Sequence, residues 1–206
     1  VAQPGIFITF EGVEGAGKTE QVQRLATTLG ENVLVTREPG GTPISERIRE
    51  IFLTAEGITA KTELLLIAAA RAQHVADVIR PALEANQIVL CDRFIDATAA
   101  YQGYRGGIDL ALINQLNRIA TGGIIPDLTF LLDLPPEIGL QRKPKQDKPC
   151  SDRLHREPLE FHHKVRQGYL AIARTEPHRV KLIDATQGPD AIHATLLAEY
   201  QKYLSR

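Results

Sequence analysis

The residues with the clearest chemical purpose lie near the N-terminus, where Gly12-Val13-Glu14-Gly15-Ala16-Gly17-Lys18-Thr19 has the spacing G-x-x-x-x-G-K-[ST]. Each residue type in that spacing has a task at a polyphosphate. Glycines let backbone N–H groups turn inward onto anionic oxygens, and the helix that follows adds the positive end of its dipole. Lys18 carries a cation toward β- and γ-phosphates, and the Thr19 hydroxyl offers a hard oxygen to Mg²⁺. Asp92 closes the apolar run Ile88-Val89-Leu90-Cys91, where a carboxylate can orient Mg²⁺ or its waters. Arg37, Arg71 and Arg93, with Arg49 nearby, stand beside strand-like or Gly-rich segments. A planar guanidinium fork suits a second phosphate. Together these residues indicate a nucleotide-binding chain with a second anionic substrate.

These groups need a scaffold that delivers them to one edge. β-rich runs are expected at Ile6–Phe10, Val33–Thr36, Ile88–Cys91, Leu128–Leu132 and Val180–Ile183. Helical spacing runs from Lys18 to a stop at Gly30, through Ile44, Ile48, Ile51 and Phe52, and over about Lys61–Ile79, with Pro81 bending or breaking the last. Further helices are expected at Leu110–Ile119, Pro136–Arg142, about Leu159–Ala173 and the C-terminus, and Lys143–Cys150 reads as a polar, lysine-rich loop. Strands alternating with helices define an α/β fold with a parallel sheet. Its C-terminal strand ends are where ligands bind, and Arg37 and Asp92 fall there.

Composition narrows the class. The 206 residues suit one domain, and a 43% apolar, 24% charged make-up argues against disorder. Lys+Arg 24 against Asp+Glu 25 gives a net charge of -1, so neither nucleic acid nor a membrane surface is an expected partner. Cys91 and Cys150 lack metal-ligand spacing and read as free thiols of a reducing cytoplasm. No apolar run approaches the ~18 residues of a membrane span.

A Ras-type switch would carry Asn-Lys-x-Asp and Asp-x-x-Gly, and neither occurs. The competing class is a small phosphotransferase, and here a resemblance becomes specific. Thr36-Arg37-Glu38-Pro39-Gly40-Gly41-Thr42 is similar to the signature segment of bacterial thymidylate kinases. Asp92-Arg93-Phe94 with Ala100-Tyr101-Gln102-Gly103 resembles that family's Asp-Arg-aromatic and Ala-Tyr-Gln stretches. Arg71-Ala72-Gln73-His74, Pro126-Asp127-Leu128, Gly139-Leu140-x-Arg142 and Asp152-Arg153 follow in the family's order.

The resemblance implies a nucleoside monophosphate kinase fold, a five-stranded parallel sheet flanked by helices, in one domain over residues 1–206 with a lid at about 142–157. It implies transfer of the γ-phosphoryl of ATP to dTMP, giving ADP and dTDP for dTTP biosynthesis, with Mg²⁺ and in a homodimer. Gly12 to Thr19 and Arg142 would hold ATP, with the Asp184-Ala185-Thr186 loop beside the adenine, and Thr19 and Asp92 would serve the metal. Arg37, Arg71 and Arg93, with Pro39 and Arg49, would hold dTMP. Tyr101 would sit against the deoxyribose, and Thr98 and Gln102 would lie near the thymine edge. Glu14 would meet the sugar 3′-hydroxyl. Lys18, Asp92, Glu14 and a lid arginine, Arg153, would form the catalytic set. Arg153 enters because Gly15 stands where eukaryotic-type enzymes have Arg. Three departures accompany the match: Ile67 in place of a Phe that stacks on thymine, Ala97 for a frequent Ser, and Glu20 for Ser or Thr. His155, His162 and His163 read as surface residues.

Overall fold

The computed structural model describes residues 5–142 and 157–205. Strands β1 (Ile6–Glu11), β2 (Val33–Arg37), β3 (Ile88–Asp92), β4 (Leu128–Asp133) and β5 (Val180–Asp184) form one parallel sheet of order β2-β3-β1-β4-β5. β1 is buried along its whole length, as its mostly apolar sequence suits in a sheet covered on both faces, with Thr9 and Glu11 hydrogen-bonded inside. The chain steps from β1 outward past β3 to β2, then returns across β1 to β4. That reversal opens a crevice at the C-terminal ends of β1 and β3, where such sheets bind ligands.

Helices α1 (Lys18–Leu29), α2 (Pro43–Thr54) and α3 (Ala60–His74) agree with the periodicity. The caps explain two of the starts: Thr42 and Thr59 accept hydrogen bonds from the backbone of Ser45 and Thr62. Pro81 does not break the chain's helical course. A π-helical stretch, Val75–Ile79, follows α3 and leads into α4 (Arg80–Glu84), with the Arg80 N–H bonded to the Val75 carbonyl. The wider π register removes the demand for the hydrogen bond that Pro81 lacks.

A second irregular stretch was not legible in the pattern. α5 (Ile95–Thr98) continues as a π-helical segment, Ala99–Arg105, before α6 (Leu110–Thr121). Three further helices follow, α7 (Pro136–Arg142), α8 (Leu159–Thr175) and α9 (Pro189–Leu204). The larger core lies around β1, β4 and β5, with Phe10 and Phe130 edge-on at 5.4 Å between ring centres. A smaller one joins Phe7, Val89 and Phe94 beneath the π-helical Val75–Ile79. Among the described residues no helix is long and apolar enough to cross a membrane. Cys91 is free, buried and inert, its thiol held protonated chiefly by burial, while Cys150 lies outside the described residues.

Candidate active site

The turn from β1 into α1 requires glycine for steric reasons. Gly12, Gly15 and Gly17 have φ of 137°, 72° and 86°, values that side chains other than glycine rarely adopt. A Cβ on Gly12 would strike the Leu132 carbonyl, and one on Gly15 would strike the backbone of Gly139 in α7. Gly15 is therefore more than a missing arginine: α7 packs so closely that no side chain fits.

Lys18 is buried, and its Nζ donates to the carbonyls of Gly12 (3.1 Å) and Val13 (2.9 Å). Burial, with Arg93 next, lowers its pKa from 10.5 to about 8, against the pull of Asp92, Glu11 and Glu14. The sign gives an expected result. The cationic form binds a polyphosphate, so nucleotide affinity, followed by titration calorimetry, should be level below about pH 8 and weaken above it, with proton uptake on binding. A flat affinity from pH 7 to pH 9.5 would contradict this role.

Thr19 Oγ1 donates to Asp92 Oδ2 at 2.7 Å, so the two residues expected to serve Mg²⁺ meet across the sheet end. Among the described residues no group of three or more His, Cys, Asp or Glu could hold a metal. A hydroxyl and one carboxylate suit Mg²⁺, which keeps water and phosphate oxygens as most of its ligands.

Two cavities flank this point. The larger, about 680 Å³, runs from Gly15–Gln21 to Arg142 and the Thr186–Pro189 loop. Arg142 donates to the Ala185 carbonyl (3.0 Å), and Asp184 folds the loop by accepting from Thr186 N and Oγ1. Glu20 borders this cavity, but its carboxylate is paired with Arg24 at 3.0 Å.

The other cavity, about 350 Å³, is lined by Glu14, Arg37, Pro39, Arg49, Ile67, Arg71, Asp92, Arg93, Thr98, Tyr101 and Gln102 among others. The cavities share Gly15, Lys18 and Thr19. The Pro39 carbonyl gathers Arg37 (3.2 Å) and Arg49 (2.8 Å), and Glu46 pairs with Arg37 at 3.0 Å. Glu38, joined to Pro39 by a cis peptide bond, is buried and accepts from Arg71 Nε at 2.7 Å and contacts His74 Nδ1 at 3.0 Å. Arg71 is 1% exposed. One N–H from each of its other nitrogens goes to Asn117 Oδ1 and to the Phe94 carbonyl, so three of the five guanidinium N–H groups fix Arg71 in the cavity wall. Phe52 of α2 and Ile67 of α3 line the same cavity, which supplies an aromatic ring from a helix where the sequence offered no signal for one. Ala97 also borders it.

Arg93 is aimed by its backbone, which holds φ of 70°. Its N–H donates to the Phe10 carbonyl and the next N–H, of Phe94, donates to Glu11 Oε1 at 2.7 Å. The guanidinium lies 5.1 Å from the Tyr101 ring centre and donates to the hydroxyls of Tyr101 (3.1 Å) and Tyr169 (3.3 Å). Tyr169 in turn donates to Glu11 Oε2 at 2.9 Å. Burial, reinforced by Asp96, raises the Glu11 carboxyl to about 7. Sequence reasoning missed Glu11, Glu38, Asn117 and Tyr169. Glu38 stood inside the Thr36–Thr42 signature without a role of its own, and Glu11 carried a signal as a carboxylate ending a mostly apolar, buried strand.

His162 is buried beside Phe161, contrary to the surface reading, because α8 turns that face inward. His163 is half-exposed and pairs with Glu137 at 2.9 Å. Arg153 and His155, with the lysine-rich loop, lie outside the described residues.

A parallel sheet with a glycine-rich phosphate loop, and two cavities joined at its Lys and Thr, defines a P-loop kinase of the nucleoside monophosphate type. The family model for thymidylate kinase matches residues 10–196. The thymidylate kinase of Syntrophotalea carbinolica is 53% identical over 195 residues, covering 90% of each chain. That of Geobacter sulfurreducens is 50% identical over 211 residues, covering 98% of each. The crystal structure of thymidylate kinase from Ehrlichia chaffeensis superposes with a TM-score of 0.81 at 36% identity, over 96% of this chain and 100% of that one. The chain belongs to the thymidylate kinase family.

Proposed function

We propose that the chain transfers the γ-phosphoryl group of ATP to a phosphate oxygen of dTMP, releasing ADP and dTDP. The observation that carries this reading is the pair of cavities meeting at Gly15, Lys18 and Thr19. One has the phosphate loop and Arg142, and the other is lined by Arg37, Arg49, Arg71 and Arg93 together with the polar Thr98 and Gln102. In that arrangement the donor and acceptor phosphates face each other across Lys18, as positioning-driven phosphoryl transfer requires.

Under this reading the loop from Gly12 to Thr19, with Val13 and Ala16 contributing backbone, binds ATP, and Arg142 flanks the adenine. Arg37, Arg71 and Arg93 hold the acceptor phosphate and base, with Arg49 a further phosphate contact, Tyr101 packs on the deoxyribose, and Glu14 reaches its 3′-hydroxyl. Thr19 and Asp92 would hold Mg²⁺, which would supply charge neutralisation at the phosphates. Residues 142–157 form the lid of a single domain, and Arg153 supplies its cation. A cytoplasmic location, where ATP is supplied, belongs to the same proposal.

The test is coupled ADP release with dTMP, dUMP, dCMP, AMP and thymidine as acceptors in turn. Mg²⁺-dependent turnover fastest with dTMP is expected, and equal rates with dCMP or thymidine would overturn the acceptor assignment.

The reading includes a homodimer. α3 packs against both α2 and α6, yet Ile44, Ile51, Leu65, Leu112 and Ile119 on these helices remain exposed, and a second copy of the chain would cover them. Sedimentation at micromolar concentration should give twice the chain mass, with Leu65→Glu shifting it to one. A wild-type chain that sediments as a monomer would remove this part.

A further inference from the structure

We infer that Glu63, which does not line the acceptor cavity, sets its base preference by fixing the amide of Gln102. The inference rests on the dTMP reading above. Gln102 lies in the π-helical Ala99–Arg105 and is 2% exposed on the cavity wall. Its Nε2 donates to Glu63 Oε2 at 3.2 Å, and Glu63 is itself buried on α3. A carboxylate accepts and does not donate, so the amide nitrogen must face Glu63. The carbonyl Oε1 is thereby committed to the other branch of the amide. It is buried and has no hydrogen-bond partner among the described residues, although buried polar atoms are nearly always paired. Thr98 Oγ1, on the same wall, is likewise buried without a hydrogen bond, and a hydroxyl can donate or accept.

The wall therefore offers one dedicated acceptor and one adaptable group. A base with a donor at N3, such as thymine or uracil, matches the fixed Oε1. Cytosine presents a lone pair at N3 and would set acceptor against acceptor. Turning the Gln102 amide over would accommodate cytosine, but it would place Oε1 against the buried Glu63 carboxylate. The repulsive element lies one residue behind the surface that the base touches, which is specificity by exclusion. Glu63 is thus a positioning residue.

The test compares kcat/KM for dTMP and dCMP in wild type and Glu63→Gln. A Gln at this position accepts or donates, so Gln102 is free to turn. The dTMP-over-dCMP ratio should fall about tenfold or more, ~1.4 kcal/mol, through a lower KM for dCMP and a higher KM for dTMP, with kcat for dTMP within a few-fold. Glu63→Asp keeps an acceptor-only group and should hold the ratio within about threefold. In a Gln102→Leu background, Glu63→Gln should have no further effect on the ratio. A cooperatively folded Glu63→Gln protein with the wild-type ratio, or additive effects in the double variant, would overturn the inference. A wild-type protein inactive on dTMP would instead overturn the functional reading.

Discussion

Lys18→Ala is expected to lower dTMP-dependent ADP release by about 10³-fold or more, the scale on which positioned cations act in phosphoryl transfer. The residue stands where the two cavities join, and among the described residues it is the lysine that lines both. The other cations of the acceptor cavity, Arg37, Arg49, Arg71 and Arg93, do not line the donor cavity. Stability should move the other way. Burial holds the Lys18 ammonium well below its ordinary pKa, so charging it disfavours the folded state. That penalty is present in full below about pH 8 and fades as pH rises to the value of an unfolded lysine. The alanine variant should therefore melt no lower than wild type at pH 7 while turning over almost nothing. Turnover within tenfold of wild type would remove Lys18 from the γ-phosphate.

The second large effect concerns Arg153. A transferring phosphoryl group spreads negative charge over its oxygens, and a cation that meets it there favours the transition state over the ground state. The phosphate loop cannot host that second cation at Gly15, since a side chain there would collide with Gly139. The supplier must come from another segment, and the Asp152-Arg153 element beside Lys143, Lys145 and Lys148 has the matching sequence. Arg153→Ala is expected to lower kcat by about 10³-fold, the range of an arginine finger, with little change in ATP affinity. Were Arg153 only paired with Asp152 or Glu157 on the surface, its loss would remove ~0.5 kcal/mol of stability and leave kcat alone. Arg153→Lys should restore part of the rate, because the charge returns without the planar fork. Near-normal kcat in Arg153→Ala would transfer the role to Arg142, Lys148 or Arg156.

What the amino-acid sequence determined by itself was local. The run Gly12 to Thr19 had its chemistry written in residue type and spacing, because each function there depends on neighbours a few positions away. The strands and most helices were legible for the same reason, since apolar periodicity reports which face is buried. Pro81 did signal a disturbance of the helix, but a missing N–H alone does not announce the π register that lets the helical course continue. Other features depended on pairs distant in sequence. Arg71 is fixed in the acceptor wall by Glu38, Asn117 and Phe94, which stand 33, 46 and 23 positions away. Arg93 is aimed through Glu11 and Tyr169, which are 158 positions apart. Gln102 acquires a fixed donor–acceptor sense from Glu63, 39 positions away. Gly15 is required by a helix that begins at Pro136. Residue identity states which groups can donate, accept or carry charge. Whether those groups remain available to a substrate depends on which of them packing has already joined, and only the tertiary structure decides that.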